Sequence, residues 1–161
     1  MNIARGKGGL DNWRCQRAKV FAHHGAKVVI ADIQDELGLA VAETLGPSNS
    51  TYVRCDVTDE EQVKNAVDKA VATYGKLDIM FNNAGTADPS KPRIIDNEKS
   101  DFDRVMSVNV TGVFLGTKHA ARVMIPARSG NIISTASKIL PMLHFIWQVR
   151  RLDMLVATIY S

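Results

Sequence analysis

Polar residues that could hold a ligand follow apolar segments at several points along this sequence. The first is Asp32, which together with Ile33 comes directly after the apolar run 27–31. A carboxylate at the end of a buried strand can accept hydrogen bonds from both hydroxyls of an adenosine ribose, and its charge repels a 2′-phosphate. Asp32 therefore favours binding of NAD over NADP. The alternative, a surface Asp that caps the following helix, is equally consistent with the sequence.

Two more polar segments come after the runs 51–55 and 77–81. Asp56 and Val57 follow the first run, where a carboxylate could accept a hydrogen bond from an adenine amino group. A loop Asp before a helix cap is the favoured alternative. After the second run, two amides and a glycine would let the backbone turn tightly and approach a ligand, with a simple turn as the alternative. These residues are Asn82, Asn83, Ala84 and Gly85.

Asn109 is an amide within a stripe of apolar residues at helical spacing. A buried amide without a partner costs about 1–3 kcal/mol, so the sequence predicts a specific hydrogen bond, for example to a backbone carbonyl or an ordered water. The alternative is a position at the edge of the stripe that reaches solvent. The stripe consists of Phe102, Val105, Met106, Val110, Val113 and Phe114.

Ser137 is the last candidate, beyond the apolar pair Ile132 and Ile133. Its hydroxyl could donate a hydrogen bond to a substrate carbonyl. Ser134 and Thr135 compete for the same role, and an ordinary Ser/Thr turn is the alternative.

The elements that must position these residues alternate between strand and helix. Short apolar runs predict strands at 27–31, 51–55, 77–81 and around Ile132, because continuous apolar character is typical of strands buried on both faces. Helical spacing predicts the helices between them: 34–45, 58–75 with a capping box over Thr58–Glu61, and 100–126. This order predicts an α/β fold with a parallel sheet, whose carboxyl-end loops, such as 88–98, are where such sheets bind ligands.

Composition narrows the class of protein. The 161 residues suit one domain, and a net charge of +3 gives no dense basic patch for nucleic acid. We expect no membrane span and no signal peptide, since no apolar run is long enough. Cys15 and Cys55 are far apart and the histidines lack HExxH spacing, so we expect no metal site and a cytoplasmic location.

Together these motifs resemble the classical short-chain dehydrogenase/reductase family, whose order and spacing they follow from about Ala18 to Ser137. The segments HGAKVVIADIQD and VNVTGVFLG are similar to plant secondary-metabolism members of the secoisolariciresinol and xanthoxin dehydrogenase types. The resemblance implies a Rossmann-like, three-layer αβα, doubly wound parallel sheet. It also implies an oxidoreductase that uses NAD on a small-molecule secondary alcohol or ketone.

The resemblance also implies roles for the candidate residues. Asp32 would hold the adenosine ribose, and Asp56 with Val57 would contact adenine. Asn109 would hold a water in a proton relay, and Ser137 would polarise the substrate oxygen. Family members commonly associate through the helix that carries this Asn, here 101–125, which implies a homo- or hetero-oligomer. The cofactor cleft would be shaped by Asn82, Ala84 and Gly85.

Two departures from the family pattern affect the expected activity. The family's acid/base pair is YxxxK, in which the Lys lowers the pKa of the Tyr, but Arg151 and Leu155 stand in those places. The family's TGxxxGxG loop is also altered: Gly8 and Gly9 match its first part, while Arg14 puts a bulky side chain where a pyrophosphate must meet bare backbone. We therefore expect weak NAD binding and impaired catalysis.

The ends of the chain diverge from the family, in 1–17 and in 138–161. The apolar strand that opens a doubly wound sheet is degraded, which predicts a gap between neighbouring strands or a repair of that gap. The tail has apolar residues at helical spacing and predicts an amphipathic helix. We interpret the chain as one truncated dinucleotide-binding domain, family-like over 18–137, without the C-terminal third. The alternatives are a non-catalytic oligomer partner and an unstable, misassembled gene product.

Overall fold

The computed structural model describes residues 18–86, 93–135, 146–149 and 156–159. In its first half, helix α1 covers 18–23, and the following elements are β1 (Val28–Asp32), α2 (Asp35–Leu45), β2 (Ser50–Arg54), α3 (Glu60–Tyr74) and β3 (Ile79–Asn82). Next come a 3₁₀ turn (Ile94–Asp96), α4 (Lys99–Met106), a π-helical turn (Ser107–Thr111), α5 (Gly112–Ala127), β4 (Gly130–Ser134), β5 (Ile146–Val149) and β6 (Val156–Ile159). Up to β4, each predicted helix and strand is present with its ends shifted by at most two residues.

The cap of α3 differs from the prediction by one residue. Asp59 is the N-cap: its Oδ1 accepts hydrogen bonds from the Glu61 and Gln62 amides, and Gln62 Nε2 donates back to Asp59 Oδ2. The capping box predicted at Thr58–Glu61 is therefore wrong. The physical reason is that the Thr58 hydroxyl donates to Asp56 Oδ1 instead, so it helps to form the preceding turn.

Both faces of the sheet are covered by helices. All five residues of β1 are buried, and its four apolar residues alternate between two clusters. Val29 and Ala31 pack with residues of α3 and α5, while Val28 and Ile30 pack with α1 and α2. This alternation explains why β1 reads as a continuous apolar run, and it gives the three-layer αβα arrangement that the sequence predicts.

The six strands form one sheet in the order β2-β1-β6-β3-β4-β5. All neighbouring pairs are parallel except β4 and β5, which are antiparallel. The predicted Rossmann-like parallel sheet is confirmed. Because parallel strands end at the same edge, the register brings Asp32 beside Arg54 and Asn82 beside Ser134 at the carboxyl edge of the sheet.

The tail forms strands where the sequence predicts an amphipathic helix, so that prediction is wrong for Ile146–Val149 and Val156–Ile159. Strand β6 lies between β1 and β3, with Val156 aligned with both Val28 and Ile79. This is the place of the degraded opening strand, so the gap is repaired by residues from the tail. The physical reason is that two facing strand edges would otherwise leave N–H and C=O groups without partners, and pairing them outweighs the local helical pattern.

The fourth helix, the π turn and the fifth helix run continuously from Lys99 to Ala127, which is the long helix predicted from residue 100 or 101. It differs from the prediction in the π turn and in Pro126, which lies inside the helix and does not end it. Among the described residues, no helix has the length and apolar character needed to cross a membrane. Within the same ranges, no group of three or more His, Cys, Asp or Glu side chains is arranged to hold a metal ion.

Candidate functional site

Asp32 ends β1 at the carboxyl edge of the sheet. Its side chain is not a surface cap: Asp32 is only 5% exposed, and its Oδ1 accepts a hydrogen bond of 2.8 Å from the Gln34 amide. This bond shapes the turn into α2 and orients the carboxylate. Ile33, the next residue, is 40% exposed and lies outside the core. The turn therefore presents a buried acid and an exposed apolar side chain in succession.

A hydrogen-bonded network at the end of β2 fixes the same turn, and the sequence analysis missed it. Arg54 Nη1 donates to Ile33 O and to Asp35 Oδ2, each at 2.8 Å. The Tyr52 hydroxyl lies 2.7 Å from Asp35 Oδ1 and 2.8 Å from Asp32 O, in position to donate to either. The sequence does contain a sign of this network: Tyr52 and Arg54 are polar residues at alternate positions of one strand, so their side chains must lie on the same face of the sheet.

The pKa values of Asp35 and Tyr52 in this network are shifted in opposite directions. The hydrogen bond from Tyr52 and the nearby Arg54 lower the pKa of Asp35 below its usual value, so its carboxylate is ionised at neutral pH. Burial, together with the bond to Asp35, raises the pKa of Tyr52 well above its ordinary value, so the phenol remains a neutral donor. The ring fits because Gly38 has no side chain: a Cβ there would lie 2.1 Å from Tyr52 Cε2.

Asp56 and Val57 follow β2 and have local partners. Asp56 Oδ1 accepts from the Thr58 amide at 2.9 Å and from its hydroxyl at 2.7 Å, and the Asp56 amide donates to Gln62. The Val57 side chain is buried against Gly112, where a Cβ would lie 2.8 Å from Val57 Cγ2. These contacts describe a loop Asp and a core Val, and contact with adenine stays a prediction.

Asn82 is the residue of β3 that reaches the carboxyl edge. It is 4% exposed, and its Nδ2 donates to Thr117 Oγ1 at 3.4 Å and to Ser134 Oγ at 3.3 Å. Helix α5 comes this close because Gly116 faces Asn82: a Cβ on Gly116 would lie 2.1 Å from Asn82 Oδ1. Gly116 therefore helps to position Asn82 by letting α5 approach β3 closely. This role was not predicted from the sequence.

The segment after Asn82 is held to β4. Asn83 Oδ1 accepts a hydrogen bond of 3.0 Å from the Thr135 hydroxyl, and the Thr135 amide donates to Asn82 O at 3.0 Å. Ala84 is 8% exposed. The predicted segment 82–85 thus starts at the end of β3 and continues as a loop bonded to β4, at the edge where a ligand would approach.

Asn109 lies in the π turn and bonds to a single backbone unit. Its Nδ2 donates to Thr86 O and its Oδ1 accepts from the Thr86 amide, both at 2.8 Å. The bond to a backbone carbonyl is one of the partners that the sequence predicts. The side chain is half-buried, and the relay water stays a prediction. Arg104 Nη1 also reaches Thr86, at 3.0 Å from its Oγ1.

Four of the six residues of the apolar stripe around Asn109 face outward, which corrects the expectation that Asn109 lies within a buried stripe. The buried face of the helix instead carries Val105 and the α5 residues that contact the sheet. The reason is that small residues, Gly112 and Gly116, allow that face to approach the strands, which leaves the larger side chains outside. The exposed members are Phe102 (62%), Met106 (38%), Val110 (45%) and Phe114 (62%).

Three predicted residues, Gly8, Gly9 and Ser137, lie outside the described residues. The same is true of Arg14, Arg151 and Leu155. The structure therefore places the predicted residues after β1, β2 and β3 at one edge of the sheet, and Asn109 bonds to the loop after β3. It does not report on the predicted phosphate loop or on the predicted substrate-polarising serine.

A second cluster between α3 and α5 was also missed by the sequence analysis. Glu60 Oε1 accepts from Lys118 Nζ at 2.6 Å and lies 3.2 Å from Nε2 of the buried His119. The bonds from Lys118 and then from His119 lower the pKa of Glu60. No charge pattern in the sequence identifies this cluster, because its members are 58 and 59 positions apart.

Comparison with known proteins agrees with this geometry. The family model described as Enoyl-(Acyl carrier protein) reductase, of the short-chain alcohol dehydrogenase type, matches residues 15–141. Secoisolariciresinol dehydrogenase of Forsythia intermedia is 76% identical over 120 residues, which are 74% of this chain and 43% of that protein. Borneol dehydrogenase, mitochondrial, of Lavandula x intermedia is 64% identical over 120 residues, 74% of this chain and 45% of that protein.

A solved structure gives the same result for the fold. The short-chain dehydrogenase/reductase from Burkholderia phymatum in complex with NAD matches with a TM-score of 0.70 and 30% identity, over 76% of this chain and 45% of that one. This chain spans less than half the length of the relatives described here. With most of its residues matched by the family model, the chain belongs to the short-chain dehydrogenase/reductase family.

Proposed function

We propose that this chain carries the dinucleotide-binding part of an NAD-dependent oxidoreductase that acts on secondary alcohols or ketones. The observation that supports this most directly is the position of Asp32 and Asn82 at the carboxyl ends of β1 and β3, two strand spacings apart. Two spacings correspond to about 10 Å, with the crevice of the sheet between them. The NAD complex of the Burkholderia phymatum relative supports the choice of cofactor.

The donor and acceptor groups on this edge fit the adenosine half of NAD. Asp32 supplies a carboxylate for the ribose hydroxyls beside exposed Ile33, and the ionised Asp35 adds negative charge on the same turn. Asp56 and Val57 would contact adenine. NAD supplies the hydride acceptor when it is bound. The cleft would be lined by Asn82, Asn83, Ala84 and Gly85, with Gly8 and Gly9 at the phosphates.

We expect the 161-residue chain to bind NAD weakly and to turn over poorly. Arg14 would oppose close approach of a pyrophosphate, and Asp32 is only 5% exposed, which leaves little of its carboxylate open to a ribose. Ser137 would donate to a substrate oxygen, and Asn109 would hold a relay water. The sequence has no YxxxK to move the proton, and loss of a positioned acid/base removes about 10²- to 10⁴-fold in rate. We propose a cytosolic location, since Cys15 and Cys55 do not form the framework typical of disulfide-bonded secreted domains.

Thermal unfolding with and without millimolar NAD tests the proposal. A ligand that binds only the folded state stabilises it by an amount that rises with the ratio of ligand concentration to dissociation constant, so weak binding of NAD should give a small upward shift in the unfolding temperature. Asp32→Asn should abolish the shift, whereas Glu43→Gln, the same charge change on an exposed residue of α2, should keep it. An equal shift in both variants would contradict the cofactor role of Asp32. Steady alcohol oxidation by the purified chain would contradict the expected impairment.

A second candidate function is that of a non-catalytic partner for another chain of the same family. The stripe Phe102, Met106, Val110 and Phe114 supports it, since large apolar side chains 38–62% exposed at every fourth position form one continuous helical face. A two-fold axis brings the same surface of two copies together, so one exposed apolar face is enough to supply both sides of an interface. The occupant would therefore be the same helix of a second chain.

Co-expression with an intact family member tests this candidate. We expect a mixed oligomer with the wild-type chain and its loss in Phe114→Asp. Val20→Asp is the matched control, because Val20 is 56% exposed on α1 on another side of the molecule. Recovery of only separate species with the wild-type chain would contradict the partner role.

A further inference from the structure

We propose that Asp35 determines cofactor choice together with Asp32, because it neutralises Arg54 and so withholds a guanidinium from the 2′-phosphate of NADP. This inference rests on the proposed function, since it concerns the adenosine end of the same cofactor. Asp35 would thus help to select NAD over NADP. Its place in the first turn of α2 does not indicate this role from the sequence alone.

The position of Arg54 makes it the natural partner for a 2′-phosphate. Arg54 is aligned with Asp32 on the neighbouring strand, at the carboxyl edge where the adenosine ribose would lie. Its side chain is 62% exposed, and its Nη1 donates to Ile33 O, the carbonyl directly after Asp32. A guanidinium close to the ribose-binding acid is the arrangement that accommodates the 2′-phosphate of NADP. Arg54 would therefore favour NADP if it were not paired.

Each carboxylate oxygen of Asp35 has its own hydrogen-bond donor. Arg54 Nη1 lies 2.8 Å from Asp35 Oδ2, and the Tyr52 hydroxyl lies 2.7 Å from Asp35 Oδ1. The Tyr52 ring is fixed against the bare backbone of Gly38, so both oxygens of Asp35 have oriented partners. The lowered pKa of Asp35 means that it carries its full charge at neutral pH. Arg54 is therefore compensated throughout the physiological range.

The local charge explains the expected selectivity. The charges of Asp32, Asp35 and Arg54 sum to minus one, and this negative sum repels the additional negative charge of a 2′-phosphate. Asp35→Asn brings the sum to zero and leaves the guanidinium without its ionic partner, while an amide keeps the shape of the side chain. A charge-assisted Arg–phosphate bond can then form.

The test is a mutant cycle on the full chain with four proteins besides wild type: Asp35→Asn, Arg54→Gln, the double variant and Glu36→Gln. Glu36 is the matched control, because it is an exposed carboxylate in the same first turn and its substitution changes the net charge and the helix end equally. Dissociation constants are measured for NAD and NADP. The two short probes adenosine 2′,5′-bisphosphate and adenosine 5′-diphosphate report on the adenosine end without the altered phosphate loop.

We expect Asp35→Asn to raise the preference for the 2′-phosphate ligand about tenfold, Glu36→Gln to leave it unchanged, and the double variant to return it to the wild-type value. An unchanged preference in Asp35→Asn, or an equal change in Glu36→Gln, would overturn the inference. If no protein binds NAD or NADP but Asp35→Asn alone gains the 2′-phosphate probe, the proposed function fails, while the exclusion of a 2′-phosphate by Asp35 stands. Binding of no ligand by any variant overturns both.

Discussion

The side-chain amide of Asn109 forms two hydrogen bonds with the backbone of Thr86, one donated and one accepted, each of 2.8 Å. The pair joins the middle of the long helix to the loop that follows β3. It is made where the helix widens into a π turn over Ser107–Thr111. A π turn inserts one residue into the helical repeat, which changes the direction of nearby side chains and is frequent at functional sites. Asn109 thereby fixes the loop after Asn82–Asn83.

Asn109→Ala should therefore destabilise the loop as well as the whole fold. The substitution removes two hydrogen bonds and leaves the half-buried Thr86 amide and carbonyl without them, which we expect to lower the free energy of unfolding by about 1–3 kcal/mol. Chemical denaturation gives this value, and hydrogen exchange should show faster exchange at the Thr86 amide. Thr111→Ala, an exposed residue of the same π turn, is the control and should change neither. Equal effects of the two substitutions would contradict the role of Asn109.

Gly116→Ala should disturb Asn82 from the other side of the same edge. The added Cβ would lie 2.1 Å from Asn82 Oδ1 and 3.0 Å from Met80 Cε, so α5 must move away from β3. Overpacking of this kind costs about 1–3 kcal/mol, measured by denaturation. In Asn82→Ala the same substitution should cost less, because the oxygen is gone. Strictly additive effects in this double-mutant cycle would show that the contact is not the cause.

The sequence predicts the strands and helices up to β4 because buried parallel strands and amphipathic helices leave strong local patterns, as in Val28–Asp32 and Glu60–Tyr74. Prediction from the sequence fails where contacts between residues distant in the sequence determine the structure. The helical spacing of the tail is overridden by the vacant place between β1 and β3, which no local pattern encodes. Likewise, the outward direction of Phe114 follows from the close approach at Gly116. Residues such as Arg54 become candidates only when the register places them beside Asp32.

Thr158→Pro should open the centre of the sheet. Thr158 is aligned with Ile30 of β1 and Phe81 of β3, and proline at a central strand position removes a backbone donor from the ladder. We expect slow-exchanging amides of β1 and β3 to exchange much faster, as followed by hydrogen exchange with mass spectrometry. Thr158→Val keeps the donor and the β-branched shape, and should keep the protection. Undiminished protection in the proline variant would mean that β6 does not complete the sheet in solution.

The stabilising contribution of Glu60 should disappear in acid. Bonds from Lys118 and His119 hold the pKa of Glu60 below its ordinary value of 4.5. A carboxyl whose pKa is lower in the folded than in the unfolded state contributes stability that is complete above the unfolded value. That contribution is lost as the pH falls through the folded value. Glu60→Gln should therefore be less stable than wild type near pH 5.5, and the difference should shrink towards about pH 3.

Urea denaturation of both proteins across that range measures the difference, with Glu43→Gln as a control that should follow wild type throughout. Added salt should reduce the difference as well, since Glu60 and Lys118 are each about half exposed and their attraction is screened. If the difference between Glu60→Gln and wild type is the same at every pH, the contribution of Glu60 arises from packing of its side chain. In that case the charge pairing between α3 and α5 plays no part in stability.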